Sequence, residues 1–155
     1  MYRLGEARSL TTETKEGELI VIIKDANRRI EIPAKRWVTF ILQLADIEEA
    51  VKQLHARQYV KYHRHIGGGW YVSVTTGFWC VDIRRFYKKD DDIKPTRQGL
   101  ALRLKEWTDL IAVVPRLMTD VRELVAVLPC YCGDDHQNQL GYLQCPECSP
   151  FETYV

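Results

Sequence analysis

The chain has 155 residues, 46% of them apolar and 28% charged, with 22 Lys and Arg against 21 Asp and Glu. That size and apolar share allow one good core, or two small ones that share an interface, in a compact soluble protein. No apolar run approaches the ~20 residues that span a bilayer, and Arg3, Glu6 and Arg8 break up any secretory apolar region, so the expectation is an intracellular protein with reduced thiols.

The net charge of +1 hides a division along the chain. Residues 1–57 carry 10 basic and 9 acidic side chains, residues 58–129 carry 12 and 8, and residues 130–155 carry 0 and 4. The positive potential therefore belongs to the middle of the chain and the tail is acidic. A basic excess of this size permits a polyanion partner.

Glu18 to Lys24 reads as a strand of β-branched and aliphatic residues, and Arg29 to Ile32 as a second after an Asp25-Ala-Asn27 turn. Pro33 opens a helix at a first-turn position. Trp37, Phe40, Ile41, Leu44, Ile47, Val51 and Leu54 then recur at three- and four-residue steps, which predicts one apolar stripe about five turns long. Strands follow at Tyr59 to His65, Tyr71 to Val74 and Phe78 to Tyr87, with a hairpin turn at Gly67-Gly-Gly69. Alternation puts Trp70, Val72, Val74, Trp79, Val81 and Ile83 on a core face and leaves Tyr71, Ser73, Phe78, Arg84 and Phe86 on an open one. Lys88 to Gln98 reads as a loop with Asp90-Asp-Asp92 at a solvated tip, and Leu100 to Leu102 as a short strand. A second helix carries Trp107, Leu110, Ile111, Val114, Leu117, Val121 and Leu124, with a kink or break expected at Pro115.

The two halves are faint copies of one another. With Gly17 on Gly77, the residues Leu19, Val21, Ile23 and Lys24 fall on Trp79, Val81, Ile83 and Arg84; after a longer loop in the second copy, Ile30, Ile32 and Trp37 fall on Leu100, Leu102 and Trp107. Strands followed by a long helix, given twice, imply an α+β fold of curved antiparallel sheets covered by helices. Neither copy is self-sufficient, so the expectation is an intrachain pseudo-dimer of residues 1–57 and 58–129. Residues 130–155 form a Cys-rich appendage.

In that appendage Cys130-x-Cys132 precedes Cys145-Pro-Glu-Cys148, and paired thiolates at short spacing close a tetrahedral zinc site. His136 is an alternative ligand. A reducible disulfide pair or free thiols remain the other reading of these cysteines. Cys80 stands alone on a strand and reads as packing. Gly67-Gly-Gly69 leads into a strand and lacks phosphate-loop geometry. His63 and His65 share a strand face and could bind metal or phosphate, but exposed edge histidines more often do neither, and no role is assigned to them. No arrangement of serine, histidine and acid or of paired carboxylates stands out, so no enzyme is expected.

Tyr71-Val-Ser-Val74, Val81-Asp-Ile-Arg84 with its following aromatic pair, Lys94-Pro-x-Arg97-x-Gly99 and Trp107 together resemble the single-stranded-DNA-binding transcriptional coactivators of the positive-cofactor-four type. Tyr2-Arg-Leu-Gly5, Gly17 to Lys24, Ile30 to Trp37 and Asp46-Ile-Glu-Glu-Ala50 extend the resemblance into the first copy, so that it covers roughly residues 2 to 126. Members of this family pair a curved four-stranded sheet with a helix, and the plant Whirly proteins carry a similar unit twice in one chain. The resemblance implies a non-enzymatic, nuclear protein of transcription, replication or repair that holds single-stranded DNA or RNA across its sheets. It can act as a monomeric pseudo-dimer or a homodimer, with transcription or replication proteins as further partners.

A single strand offers phosphates and unstacked base faces, so its binder needs cations along a groove with flat rings between them. The resemblance assigns Arg84 as the basic strand residue, Tyr87 as a stacking aromatic and Lys94 and Arg97 as the basic loop; Tyr71 and Phe78 share the open face, and Lys88 and Lys89 add charge. The hairpin at Thr75-Thr-Gly77 is shorter than the family's, so Phe78 has to supply the stacking contact at its tip. In the first copy Lys24 matches the basic residue, but Glu16 and Glu18 replace expected lysines, and only Arg3, Arg8, Lys15 and Arg28 could extend the track. An asymmetric binder follows, with the second copy dominant. The competing function is a protein adaptor of the transcription machinery with an acidic zinc tail and little DNA affinity. Separately, the plainer reading of Tyr71, Phe78 and Phe86 is that they face a subunit interface.

Overall fold

The computed structural model describes residues 1–136 and 138–151, so position 137 and residues 152–155 of the predicted appendage lie outside the described residues. Four strands come first: β1 (Tyr2–Leu4), β2 (Arg8–Lys15), β3 (Glu18–Lys24) and β4 (Arg29–Pro33), paired antiparallel in that order. Periodicity marks β3 and β4 but misses β1 and β2, whose Thr-rich and charged residues carry almost no apolar alternation. Glu16 and Gly17, both at positive φ, make the tight two-residue turn between β2 and β3.

Pro33 ends β4 and caps the next helix from outside, one step earlier than expected. The predicted single helix is two, α1 (Ala34–Leu42) and α2 (Leu44–His55), divided at Gln43. The Gln43 side chain donates to the His65 carbonyl at 2.9 Å and accepts from the Tyr62 hydroxyl at 3.3 Å. A long-range tie thus interrupts a helix that periodicity alone would continue.

The second set repeats the order with β5 (Lys61–Gly67), β6 (Trp70–Thr75), β7 (Cys80–Lys89), β8 (Asp92–Arg103) and α3 (Leu104–Asp120). Three expectations are corrected here. Lys88–Gln98 is not a loop, because β7 continues to Lys89, turns at Asp90 and Asp91 (φ 52° and 65°) and returns as β8 from Asp92. Two consecutive left-handed residues build a turn whose twist matches a hairpin, and aspartate tolerates that conformation better than most residues. Trp79 lies just before β7 and is 53% exposed, not in the core. α3 does not break at Pro115; it ends at Asp120, and a 3-10 turn over Arg122–Ala126 buries Leu124.

One apolar cluster takes buried residues from both sets, including Leu4, Val21, Ile32, Trp37, Phe40, Val72, Ile83, Leu102 and Trp107. α1 lies against β3 and β4 as well as β5, α2 lies against β5 and β6, and α3 lies against β1 as well as β7 and β8. The Phe40 ring stands 5.3 Å from Trp37 and 6.1 Å from Trp107, joining the two helical layers. Trp107 donates its indole N–H to Glu48, whereas Trp37 has no partner for its own among the described residues. No helix among the described residues is long and apolar enough to cross a membrane.

Candidate functional site

The strand register sets out the open face of the second sheet. Across the strands, His65 pairs with Tyr71, Tyr71 with Arg84 and Arg84 with Gly99; the next row runs His63, Ser73, Asp82, Ala101. Side chains of paired residues point to the same side, so these two rows lie together. His63 stacks on Tyr71 at 4.4 Å with the rings 4° from parallel, and Phe86 meets both edge-on at 4.9 and 5.1 Å. His63 bonds Ser73 Oγ at 2.8 Å, and the Gly69 N–H donates to His65 Nε2 at 3.0 Å. Burial pushes both histidines below the ordinary imidazole value, so they are neutral rings at pH 7. Burial likewise raises the Tyr71 hydroxyl and the Cys80 thiol, which keeps both protonated. His63 and His65, given no role from sequence, are thus part of the aromatic surface. Their register opposite Ser73 and Tyr71 was the missing signal.

Beside this cluster runs a groove of 410 Å³ lined by Phe78, Cys80, Asp82, Arg84, Phe86 and Pro95 with smaller neighbours. Phe78, 65% exposed, stands at its edge. Arg84 is held in place: its guanidinium donates to both Asp82 oxygens at 3.1 to 3.3 Å and to the Thr96 carbonyl at 3.0 Å. Gly99 makes room beneath it, because a Cβ there would lie 2.6 Å from the Ile83 carbonyl and 2.8 Å from Arg84 Cα. Gly99→Ala should therefore push β8 away from β7 at a cost of about 1–3 kcal/mol, read as a lower denaturation midpoint.

The other assigned residues are dispersed along the hairpin. Tyr87 pairs with Lys94 and by alternation lies on the face opposite Phe86, with Lys89. Lys88 falls on the Phe86 side and reaches the Phe151 carbonyl at 3.5 Å. Lys94 lies 3.9 Å from the Asp92 carboxylate. Thr96, Arg97 and Gln98 bulge opposite the single residue Arg85, so Arg97 projects toward a cleft shared with Arg28, Arg29 and Trp70.

The first sheet presents a different surface. Ser9, Thr11 and Glu13 sit where the second has Tyr71, Ser73 and Thr75, and Ile20, Ile22 and Lys24 replace Cys80, Asp82 and Arg84. Glu13 and Glu31 pair with Arg29, and Lys15 pairs with Glu31 at 3.6 Å, so that face is largely self-neutralised. Arg8 lies on the other side with Leu10. It joins Asp25 at 3.1 Å, Glu106 at 3.2 Å and the Ala101 carbonyl at 2.6 Å, which makes it a brace between the sets. Arg3 and Lys24 remain, flanking Ser9.

In the appendage, ligand atoms of Cys130, His136, Cys145 and Cys148 lie within 4.8 Å of one another, and Cys132 is exposed outside the group. Cys130 and Cys145 sulfurs are 3.7 Å apart, and Cys148 Sγ is 3.3 Å from His136 Nε2. A tetrahedron with metal–sulfur bonds of about 2.3 Å requires sulfurs about 3.8 Å apart, so the group is compatible with a metal site. The other ring nitrogen, Nδ1, meets Asp135 at 2.9 Å, the outer carboxylate that orients a ligating imidazole. Burial opposes ionisation of Cys145, but the N–H groups of Cys148 and Glu147 and the His136 ring outweigh it and bring the thiol to about 7.

A family model described as Transcriptional Coactivator p15 (PC4) matches residues 72–113. The match begins at Val72 beside Tyr71, runs through both strands of the long hairpin and ends in α3; the first sheet lies outside it. No curated protein and no solved structure matches the chain.

Proposed function

We propose that the chain binds single-stranded DNA or RNA, largely without regard to sequence, across the open face of the second sheet. One observation carries the reading: Tyr71, His63 and Phe86 form a ring cluster beside a groove whose floor holds an oriented guanidinium, that of Arg84. Bases stacked there would contribute about 1–3 kcal/mol each, and phosphates would follow Arg84 and Lys88 on the Phe86 side of the hairpin, with Lys89 and Lys94 on its far side. The partial match to the coactivator family supports the same reading and a role in transcription, replication or repair in the nucleus. The repeated element order and the crossed packing of helices on sheets support a tandem pseudo-dimer, in which the first sheet contributes only Arg3 and Lys24. A structural Zn²⁺ in the cysteine and histidine group completes the assignment.

The adaptor reading has its own observation, the exposed Tyr131, Leu140 and Tyr142 of the acidic appendage, with Leu128 exposed just before it. Fluorescence anisotropy with a labelled single strand and its duplex, at several salt concentrations, separates the two. Single-strand preference, with affinity falling by a log–log slope of about 0.7 per phosphate contacted, is the expected result. Absence of binding at low salt would leave the adaptor.

A further inference from the structure

The appendage is seated on the turn between β5 and β6. Glu147, which lies between ligands Cys145 and Cys148, accepts a two-pronged bond from Arg36 of α1 at 2.9 and 2.8 Å, and its carbonyl accepts from the Gly68 N–H at 2.8 Å. The three glycines of that turn are what make the seat possible. A Cβ on Gly67 would lie 2.2 Å from the Glu147 carboxylate, and one on Gly68 would lie 2.3 Å from the Arg36 guanidinium. All three are at positive φ, where side chains are strained in any case. Gly69 faces both ways: its carbonyl accepts from the Phe86 N–H at 2.8 Å, its N–H donates to His65, and the Phe151 ring lies against it.

We infer that one Zn²⁺, bound by Cys130, His136, Cys145 and Cys148 and not by Cys132, locks the appendage onto the aromatic sheet, with Glu147 as the positioning residue that reaches the glycine turn. The inference rests on the zinc reading above and adds its consequence. Without the ion, the turn that presents Glu147 keeps local bonds such as Ser149 N–H to the Cys145 carbonyl at 2.8 Å, but four ligand side chains gathered from nineteen residues are left unbridged. With it, the glycine turn that leads the backbone from His65 to Tyr71, and that bonds Phe86 through Gly69, is clamped.

The test uses the full chain. Purified protein should contain one zinc per chain, and Co²⁺ in its place should give tetrahedral d–d absorption. Cys132→Ser should keep both signals, and His136→Ala should lose or strongly weaken them. Hydrogen exchange at the Gly68 amide should quicken at least tenfold when the metal is chelated. Glu147→Ala should retain the metal and still quicken it, a result that a purely local role for Glu147 would not give. Absence of metal, or its loss with Cys132→Ser, would overturn the ligand assignment and with it the lock. Metal present with Gly68 exchange unchanged on chelation would overturn the lock alone.

Discussion

Trp107→Ala should lower the stability of the chain by about 3–5 kcal/mol, a large share of what a domain of this size possesses. The indole is 1% exposed, and its removal opens a cavity against Phe40 where α1 meets α3. It also takes the N–H donor from Glu48, leaving a half-buried carboxylate to find another. The size and the hydrogen bond can be separated. Trp107→Phe keeps most of the packing but still strands Glu48, whereas Trp37→Phe removes an indole N–H that has no partner among the described residues. Denaturant unfolding should therefore rank Trp107→Phe as the costlier of the two conservative changes, although both rings are buried alike. Equal costs would mean that the Glu48 bond contributes nothing net.

That contrast also shows what kind of information a periodic pattern holds. The apolar positions from Trp37 to Leu54 and from Trp107 to Leu124 were legible because every third or fourth residue faces the core in a helix. The break at Gln43 was not, because its cause is a bond to His65, a residue of another element. β1 and β2 escaped for a related reason. They are held by pairing and by Arg8, Gly5 and Tyr2 reaching α3, with few apolar residues of their own. Asp90 and Asp91 read correctly as a loop tip, but the extent of the hairpin around them did not, since Lys88–Gln98 is too polar to show alternation.

The site was legible in part for the same physical reasons. Alternation places Tyr71, Arg84 and Phe86 on one face from sequence alone, and the cross-strand register then adds His63 and His65. Sequence could not show that Arg8 would turn inward, because Asp25, Glu106 and the Ala101 carbonyl are brought near it only by the fold; Asp82, two residues from Arg84 on the same strand face, was within reach of alternation and was overlooked. Cysteine spacing found three of the four side chains that the fold gathers and offered His136 as a substitute without being able to choose. The choice comes from the turn at Pro129–Gly133, which leaves the Cys132 side chain in solvent. The Gly67–Gly69 turn was read as a hairpin, which it is, but its second task as a seat for Glu147 has no sequence signature.

Phe86→Ala and Tyr71→Ala should each weaken single-strand binding by about 1–3 kcal/mol, roughly 5- to 150-fold in affinity, with the fold intact by circular dichroism. The double change should fall short of the sum, since the two rings touch at 5.1 Å and each shapes the other's surface. Arg84→Gln should also weaken binding and reduce the salt slope, while Tyr71→Phe should do little, because stacking uses the ring face. Tyr87 decides which face of the hairpin the strand follows. It lies opposite Phe86 by alternation, so on the proposed path Tyr87→Ala should cost several-fold less than Phe86→Ala. The reverse order would place the nucleic acid along Tyr87, Lys89 and Lys94, on the far side of the arm, and would leave the Tyr71 cluster as packing for a protein partner.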